Sequence, residues 1–373
     1  MSRFIQLHLL TSYPPANLNR DDLGRPKTAV MGGAPRLRVS SQSLKRAWRT
    51  SDVFENALKD HIGTRTKEMG VRVYQQLIEK DIKKKDAIEW AKLIAGQFGM
   101  LEILSAKEKK KLKEMDDDER MKKELSELEI KQLAHFSPEE ERLIDELVAT
   151  IAGRESKPED KELALLRKSH TAADIALFGR MLTKSNYGNS LVDFCSEAAV
   201  QVAHAISVHS VVVEDDFFTA VDDLNNGEDD VGAAHLGEAE FAAGLFYLYL
   251  CIDKELLVKN LSGDEELANK TLAALVESAA TVAPTGKQNS FASRARASYL
   301  LCETGNQQPR SLSVAYLKPV NKSDVLDASI KQLNESMDNM DKVYGACADK
   351  RCSMNALAGE GNLLEITQCV TEA

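Results

Sequence analysis

The chain has 373 residues, 43% apolar and 28% charged, with a net charge of −10 and a pI near 5.4. This is the composition of a folded protein with a sizeable core. It excludes a disordered chain, and no apolar run approaches the roughly 20 residues that cross a bilayer. An acidic total argues against nonspecific nucleic-acid binding, but the charge is unevenly placed. Residues 1–49 hold nine Lys or Arg against two Asp, a net of +7, so the remainder carries −17. Residues 185–253 contain no Lys or Arg. A basic head on an acidic body suits a polyanion that tracks one groove.

Residues 4–10 alternate Ile5, Leu7 and Leu9 with Gln6 and His8, which predicts a half-buried strand and not a signal peptide. A long polar loop follows from Asn19 through Arg20, Asp21, Asp22, Gly24, Pro26 and Lys27 to Gly32 and Gly33. Loops of this length are more often functional than not. Residues 36–49 read RLRVSSQSLKRAWR. Residues 36–39 predict a strand, and Ser40 and Ser41 a helix start. Gln42, Lys45, Arg46 and Arg49 then share one helical face, and Leu44, Ala47 and Trp48 the opposite one. The helix start adds backbone N–H groups and partial positive charge where a phosphate can sit. On these residues alone, a solvated basic helix face is an equal alternative.

Residues 51–170 predict helices. Ser137, Pro138 and Glu140 read as a helix start, with Leu143, Leu147, Val148 and Ile151 as its buried stripe. Residues 106–131 carry nine cations and nine acids, a balance expected of salt-bridged, solvated helices. The stretch 174–181 (DIALFGRM) predicts a strand, as do residues 200–213. The acid-punctuated excursion to about residue 237 predicts an extended hairpin. A buried strand at 244–252, helices at 256–261 and 265–280, and a polar loop at 284–290 follow. Strands at 298–303 and 311–317 and a helix at 323–344 complete the order. The expected class is α+β with an antiparallel sheet.

Catalytic and metal signatures are thin. The six cysteines form no CxxC pair, which suggests reduced thiols and a cytoplasmic protein. No His follows His235, so Cys347 and Cys352 predict no zinc site. His204 and His209 share neither a helical nor a strand face. No metal, cofactor or catalytic residue is expected, although Asp21 and Asp22 beside Arg20 leave a metal-dependent nuclease open. Binding groups are better supplied. Arg20, Lys27, Lys45, Arg49, Arg180 and Lys287 lie in or beside loops and helix starts. Ser40, Ser41, Gln42, Gln288 and Ser290 add neutral donors for phosphates and ribose hydroxyls. Aromatics are only 6% of the chain, too few for a long stacking platform. Apolar wedges, with Met181 and Leu236 as candidates, can separate bases instead, while on these residues alone plain core packing is the first reading of each.

The blocks FIQLHLL…NLNRDDLGRPKTAVMGGAPRLRVSSQSLKRAWR, DIALFGRM, VAHAISVHSVVVEDDFFTAVDDL and GAAHLGEAEFAAGLFYLY, and more loosely GKQNSFA, carry a family resemblance. Together they cover about half the chain, and the sequence resembles the CasC-type backbone subunits (Cas-seven family, Cse-four type) of the bacterial type I-E CRISPR surveillance complex, Cascade. The resemblance implies an RRM-like (ferredoxin-like) antiparallel-sheet palm with a helical fingers insertion and a projecting β-hairpin thumb. The palm would span residues 1–50, 171–199 and 241–345, the fingers 51–170, the thumb 200–240, and a C-terminal tail 346–373. It further implies a non-catalytic subunit that polymerises head-to-tail along a CRISPR guide RNA and kinks it about every six nucleotides. Arg20, Lys27, Ser40, Gln42, Lys45, Arg46, Arg49, Arg180, Lys287, Gln288 and Ser290 would hold the RNA, and Met181 and Leu236 would flank a displaced base. Implied partners are the guide RNA, target DNA through guide pairing, further copies of the chain, and the large, small, foot-capping and guide-processing Cascade subunits. Two alternatives stand beside this: a metal-dependent RNA-cleaving backbone subunit of the type III kind, and a protein scaffold without nucleic acid.

Overall fold

A computed structural model describes residues 2–166, 171–182, 195–220 and 235–373, with backbone alone for Lys113, Leu165, Ala220, His235 and Leu236. The strands are β1 (Phe4–Ala16), β2 (Thr28–Met31), β3 (Ala34–Val39), β4 (Thr64–Thr66), β5 (Ala134–Phe136), β6 (Val200–Val202), β7 (Ala205–Ser207), β8 (Glu214–Ala220), β9 (His235–Asp253), β10 (Ala297–Gly305) and β11 (Lys350–Asn355). The chain divides into two compact units. One holds Met1–Ala57, Val200–Glu255 and Asn269–Ala373; the other holds Leu58–Ala199 and Leu256–Ala268.

The first unit is built on an antiparallel sheet in the order β11-β10-β1-β9-β7-β3-β2, with β6 and β8 also pairing with β9. Strands β1, β7, β9 and β10 form its centre. A helix chain-wise between β1 and β7, and another between β9 and β10, complete a βαββαβ order. The class is α+β with an antiparallel sheet, as the sequence predicts. β1 runs to Ala16 and is buried on both faces, because helices and turns cover both. One face carries Ile5, Leu7, Leu9, Leu250, Leu300 and Cys302. The other packs Leu10, Tyr247, Tyr299 and Leu301 against Leu312, Tyr316 and Leu333.

That second face holds a buried polar cluster. His8 is fully enclosed, with Nδ1 2.8 Å from the Tyr247 hydroxyl and Nε2 3.1 Å from Glu303. Glu303 also accepts from Arg310 (3.0 Å) and Arg351 (2.8 Å). Burial pushes the His8 imidazole pKa down, so the ring is neutral at pH 7. Burial alone would raise Glu303, but hydrogen bonds from His8 and Arg310 hold it well below the usual carboxylate range. In the unfolded chain both groups bind protons more readily than in the fold, so the stability they contribute falls as pH drops. The His8 part is lost below about pH 6.5, at up to about 1.4 kcal/mol per pH unit, and the Glu303 part is lost at more acid pH. Urea melts from pH 8 to pH 5 measure this; a flat midpoint between pH 7 and 5 would contradict it.

Three predicted strands change. Residues 173–178 form the helix Ala173–Phe178 instead. Ala173, Asp174, Ile175, Ala176 and Leu177 are all buried, and a run buried all round has no period to separate helix from strand. Residues 311–317 form a single 3₁₀ turn, Ser313–Tyr316, whose Leu312, Ala315 and Tyr316 bury at helical spacing. The sheet edge there is taken by β11. Residues 200–213 break into β6 and β7. The hairpin reading agrees with the pairing of Glu214–Ala220 against residues 235–241; residues 221–234 lie outside the described residues.

Among its described residues the second unit is helical apart from the β4–β5 pair and two isolated bridges, Leu101 with Ile130 and Arg180 with Ser196. Its core gathers Met69, Val73, Leu77, Ile94, Phe98, Phe136, Ile144, Val148 and Ile151. The charge run forms short helices laced as expected: Lys109 and Lys92 reach Glu127 (2.9 and 3.0 Å), and Lys123 reaches Glu108 (3.0 Å). Among the described residues no helix is long and apolar enough to cross a membrane.

Candidate nucleic-acid interface

The first unit brings the basic head together around a cleft. β2 and β3 are joined by Gly32 and Gly33, both at positive φ (60° and 76°), a two-residue turn that side chains disfavour. β3 then leads directly into helix α1, Ser41–Arg49. Ser40 caps α1 by accepting from the Ser43 N–H (3.3 Å), and its own N–H donates to Asn19 Oδ1 (2.9 Å). Leu44, Ala47 and Trp48 are buried, so Gln42 and Arg46 are exposed and Lys45 and Arg49 half-buried on the other side. Burial lowers the Lys45 ammonium pKa from the ordinary lysine value.

The loop before β2 is rigid by its own hydrogen bonds. Asp21 Oδ1 accepts from the N–H groups of Leu23 and Arg25 (both 2.9 Å), and Oδ2 from Arg25 Nε (3.3 Å). The Arg25 and Leu23 N–H bonds draw Asp21 below its ordinary pKa. Asn17, fully buried, donates to the carbonyls of Gly24 and Glu240 (both 2.9 Å), pinning the loop to β9. Lys27 N–H donates to the Asn19 carbonyl (2.8 Å). Against this loop lies the segment of residues 284–290. A Cβ on Gly286 would stand 2.3 Å from the Leu18 carbonyl oxygen, so only glycine permits the approach.

Between these parts is an open cleft of about 510 Å³, lined by Leu18, Asn19, Arg20, Asp21, Asp22, Gly24, Ser43, Thr285 and Gly286. Arg20 is exposed at its wall. Lys287 stands next to Gly286 in a left-handed conformation (φ 45°) and opens a short helical turn, on which Ser290 is exposed. The Gln288 carboxamide accepts from the N–H groups of Ser293 and Arg294 (both 3.2 Å), so it braces its own turn.

The predicted ligands therefore separate. Arg20, Lys27, Ser40, Gln42, Lys45, Arg46, Arg49, Lys287, Gln288 and Ser290 all belong to the unit with the cleft, though Ser40 and Gln288 serve its frame. Arg180 does not join them. It lies in the helical unit, 6% exposed, with its guanidinium paired to both Glu140 oxygens (2.6 and 2.9 Å) and bonded to the His135 carbonyl (2.8 Å). A cation so enclosed offers nothing to a phosphate in solution. Its neighbour Met181 is 80% exposed. Leu236 pairs with Thr219 in the hairpin ladder; its side chain lies outside the described residues. Arg36, counted with the basic head, is fully buried on the carbonyls of Ser207 and Tyr316 (3.0 and 2.9 Å). Sequence reading named none of Asn17, Asn19, Ser43, Thr285 and Gly286 as ligands; it placed Asn19, Thr285 and Gly286 in polar loops without their role, and Asn17 and Ser43 left no signal.

A family model described as CT1975-like protein matches residues 5–369. Among solved structures, a chain of one described as "CRISPR RNA-guided surveillance complex, pre-nicking" is 28% identical over 99% of this chain and 100% of its own, with a TM-score of 0.79. A chain of another, described as "CRISPR RNA-guided surveillance complex", is 22% identical over 99% and 100%, with a TM-score of 0.71, and speaks to the fold. No curated protein matches.

Proposed function

We propose, from the premise that this chain belongs to the CT1975-like protein family, that it is the RNA-binding backbone subunit of a CRISPR surveillance complex of the type I-E Cascade kind. The observation that carries the reading is the cleft between Arg20, Ser43 and Gly286, flanked by the basic face of α1 and by Lys287. The likeness to a chain of an RNA-guided surveillance complex supports a CRISPR guide RNA as that polyanion.

In this mechanism the contacts go to phosphates and riboses, so any guide sequence is accepted. Arg20, Lys27, Lys45, Arg46, Arg49 and Lys287 neutralise the RNA spine, and Ser290 and Gln42 serve as neutral donors. Successive copies add head-to-tail, a contact that does not close on itself and so extends along the RNA. One base is displaced about every six nucleotides, leaving the rest to pair with target DNA. The subunit is a scaffold and carries out no cleavage. Both Asp21 oxygens already accept from their own loop, which favours a structural over a metal-binding role for that residue.

The test is co-expression with the remaining subunits and a guide, followed by purification and the 260/280 nm absorbance ratio. A nucleic-acid ratio with one guide-length RNA supports the reading; a protein-only ratio rejects it. Incubation with complementary RNA and magnesium separates the nuclease alternative, which requires regular cleavage lost on Asp21→Ala or Asp22→Ala. One further result is expected. Gly286→Ala forces residues 284–290 off the Leu18 carbonyl and weakens binding of single-stranded RNA by about tenfold, or about 1.4 kcal/mol, while the fold persists. Fluorescence anisotropy reads this directly, and unchanged affinity would remove that loop from the cradle.

A further inference from the structure

The sheet face that carries Tyr247 is not covered along its whole length. Between β7, β9 and the segment of residues 311–316 lies a cavity of about 230 Å³. Met31, Ile206, Tyr247 and Tyr316 wall it, and His204 and Ser313 supply polar atoms. The walls are fixed in place. Arg36, fully buried, donates to the Ser207 carbonyl on one side and to the Tyr316 carbonyl on the other (3.0 and 2.9 Å). The β2–β3 turn is seated on the same segment, since a Cβ on Gly32 would collide with the Leu317 carbonyl.

Cations gather on this face. Arg38 stands opposite Ile206 in the ladder, so it shares a face with Ile206 and with His204 two residues earlier. Its Nη1 donates to His204 Nδ1 (2.8 Å). A guanidinium has no acceptor, so His204 Nδ1 offers the lone pair and Nε2 carries the proton. Burial, then the charges of Arg38 and Lys27, lowers the His204 pKa and keeps that neutral form. The Arg38 N–H donates to the Lys27 carbonyl (2.8 Å), which extends the β2–β3 ladder by one residue and sets Lys27 beside Arg38 on the same face. Among the described residues neither cation is ion-paired, His204 Nε2 has no partner, and no Asp or Glu lines the cavity. The volume is below the roughly 300–1,000 Å³ of sites for drug-sized ligands and suits a single planar ring.

We propose that this cavity takes one unstacked RNA base, with His204 Nε2–H donating to an acceptor on its edge and Arg38 and Lys27 neutralising the phosphates beside it. The site rests on the RNA-binding reading above and adds a base contact to a cradle that otherwise meets only the spine. Aromatic and apolar walls receive the faces of the base, as they do wherever single-stranded RNA is splayed out. Every base carries an acceptor on its edge, so the site places no demand on guide sequence. A base held here is withheld from pairing with a target strand.

The full-length protein is titrated by fluorescence anisotropy with a labelled oligouridylate and with its abasic counterpart, which keeps every phosphate. The expected result is about tenfold tighter binding of the oligouridylate. Ser313→Trp, whose ring fills the cavity, abolishes that preference, and His204→Phe, which lacks the N–H, reduces it. Equal affinity of the two RNAs for the unmodified chain overturns the base site and leaves the cradle standing; a protein side chain as the true occupant gives the same equality. Binding of neither RNA overturns both readings. A preference that persists in Ser313→Trp places the base elsewhere and also overturns the site. Photocrosslinking of a thiouridine-containing RNA to the unmodified chain keeps the test independent of how the variants fold. Crosslinks at residues 203–207 or 311–317 support the site, and crosslinks confined to other segments reject it.

Discussion

Lys45→Glu with Arg49→Glu abolishes RNA-dependent assembly and leaves the first unit folded. Both side chains stand on α1 opposite the buried Leu44, Ala47 and Trp48, so the stripe that anchors the helix is untouched. Each reversal removes a cation from the RNA spine and sets an anion there, and together they cost at least about 100-fold in affinity at low salt. A gentler pair, Lys45→Gln with Arg49→Gln, separates charge from burial, which matters because Lys45 is already partly desolvated. If both residues neutralise phosphates, the slope of log affinity against log salt shallows by about 0.7 for each phosphate left without its cation. Circular dichroism and thermal melts of the variants check the fold. Intact binding and an unchanged salt slope in the Glu pair would mean that α1 presents a solvated face, the alternative its sequence equally allowed.

The sequence made the first unit's chemistry legible because its signals are local. RLRVSSQSLKRAWR contains the strand, the Ser40 cap, the buried stripe and the basic face within one short run, and all four are found. The hairpin of β2 and β3 was hidden inside what reads as loop, since its only mark is Gly32-Gly33. What stayed illegible is non-local. Asn17 and Gly286 matter through backbone atoms far away in sequence, and no spacing rule reaches them. The DIALFGRM stretch failed for a different reason: a segment buried on every side shows neither a period of two nor one of 3.6. Arg180 failed with it. An arginine beside a glycine in a presumed strand end resembles a surface ligand, and nothing in the sequence says that Glu140, whose place at a helix start is plain, faces it.

That pairing makes Arg180 a stability residue, and the expected effect is large. Glu140 is 1% exposed, and one of its oxygens already accepts from the Ser137 N–H (2.8 Å), closing the capping box of the helix Pro138–Gly153. Arg180→Ala removes both guanidinium bonds to Glu140 and the one to the His135 carbonyl, and strands a buried carboxylate, a loss of about 3–5 kcal/mol. The backbone of Arg180 is also bridged to Ser196, with N–H to carbonyl distances of 2.9 and 2.8 Å in the two directions, so the chain has no slack to refill the space. Arg180→Met combined with Glu140→Gln retains volume and the Ser137 acceptor while removing both charges. It should recover most of the loss, because a buried ion pair contributes little beyond a well-packed neutral replacement. Urea denaturation of the two variants reads the difference, with hydrogen exchange on residues 138–153 locating it. An RNA ligand would behave in the opposite way: Arg180→Ala would leave the urea midpoint in place and weaken guide binding, and that result would return Arg180 to the interface.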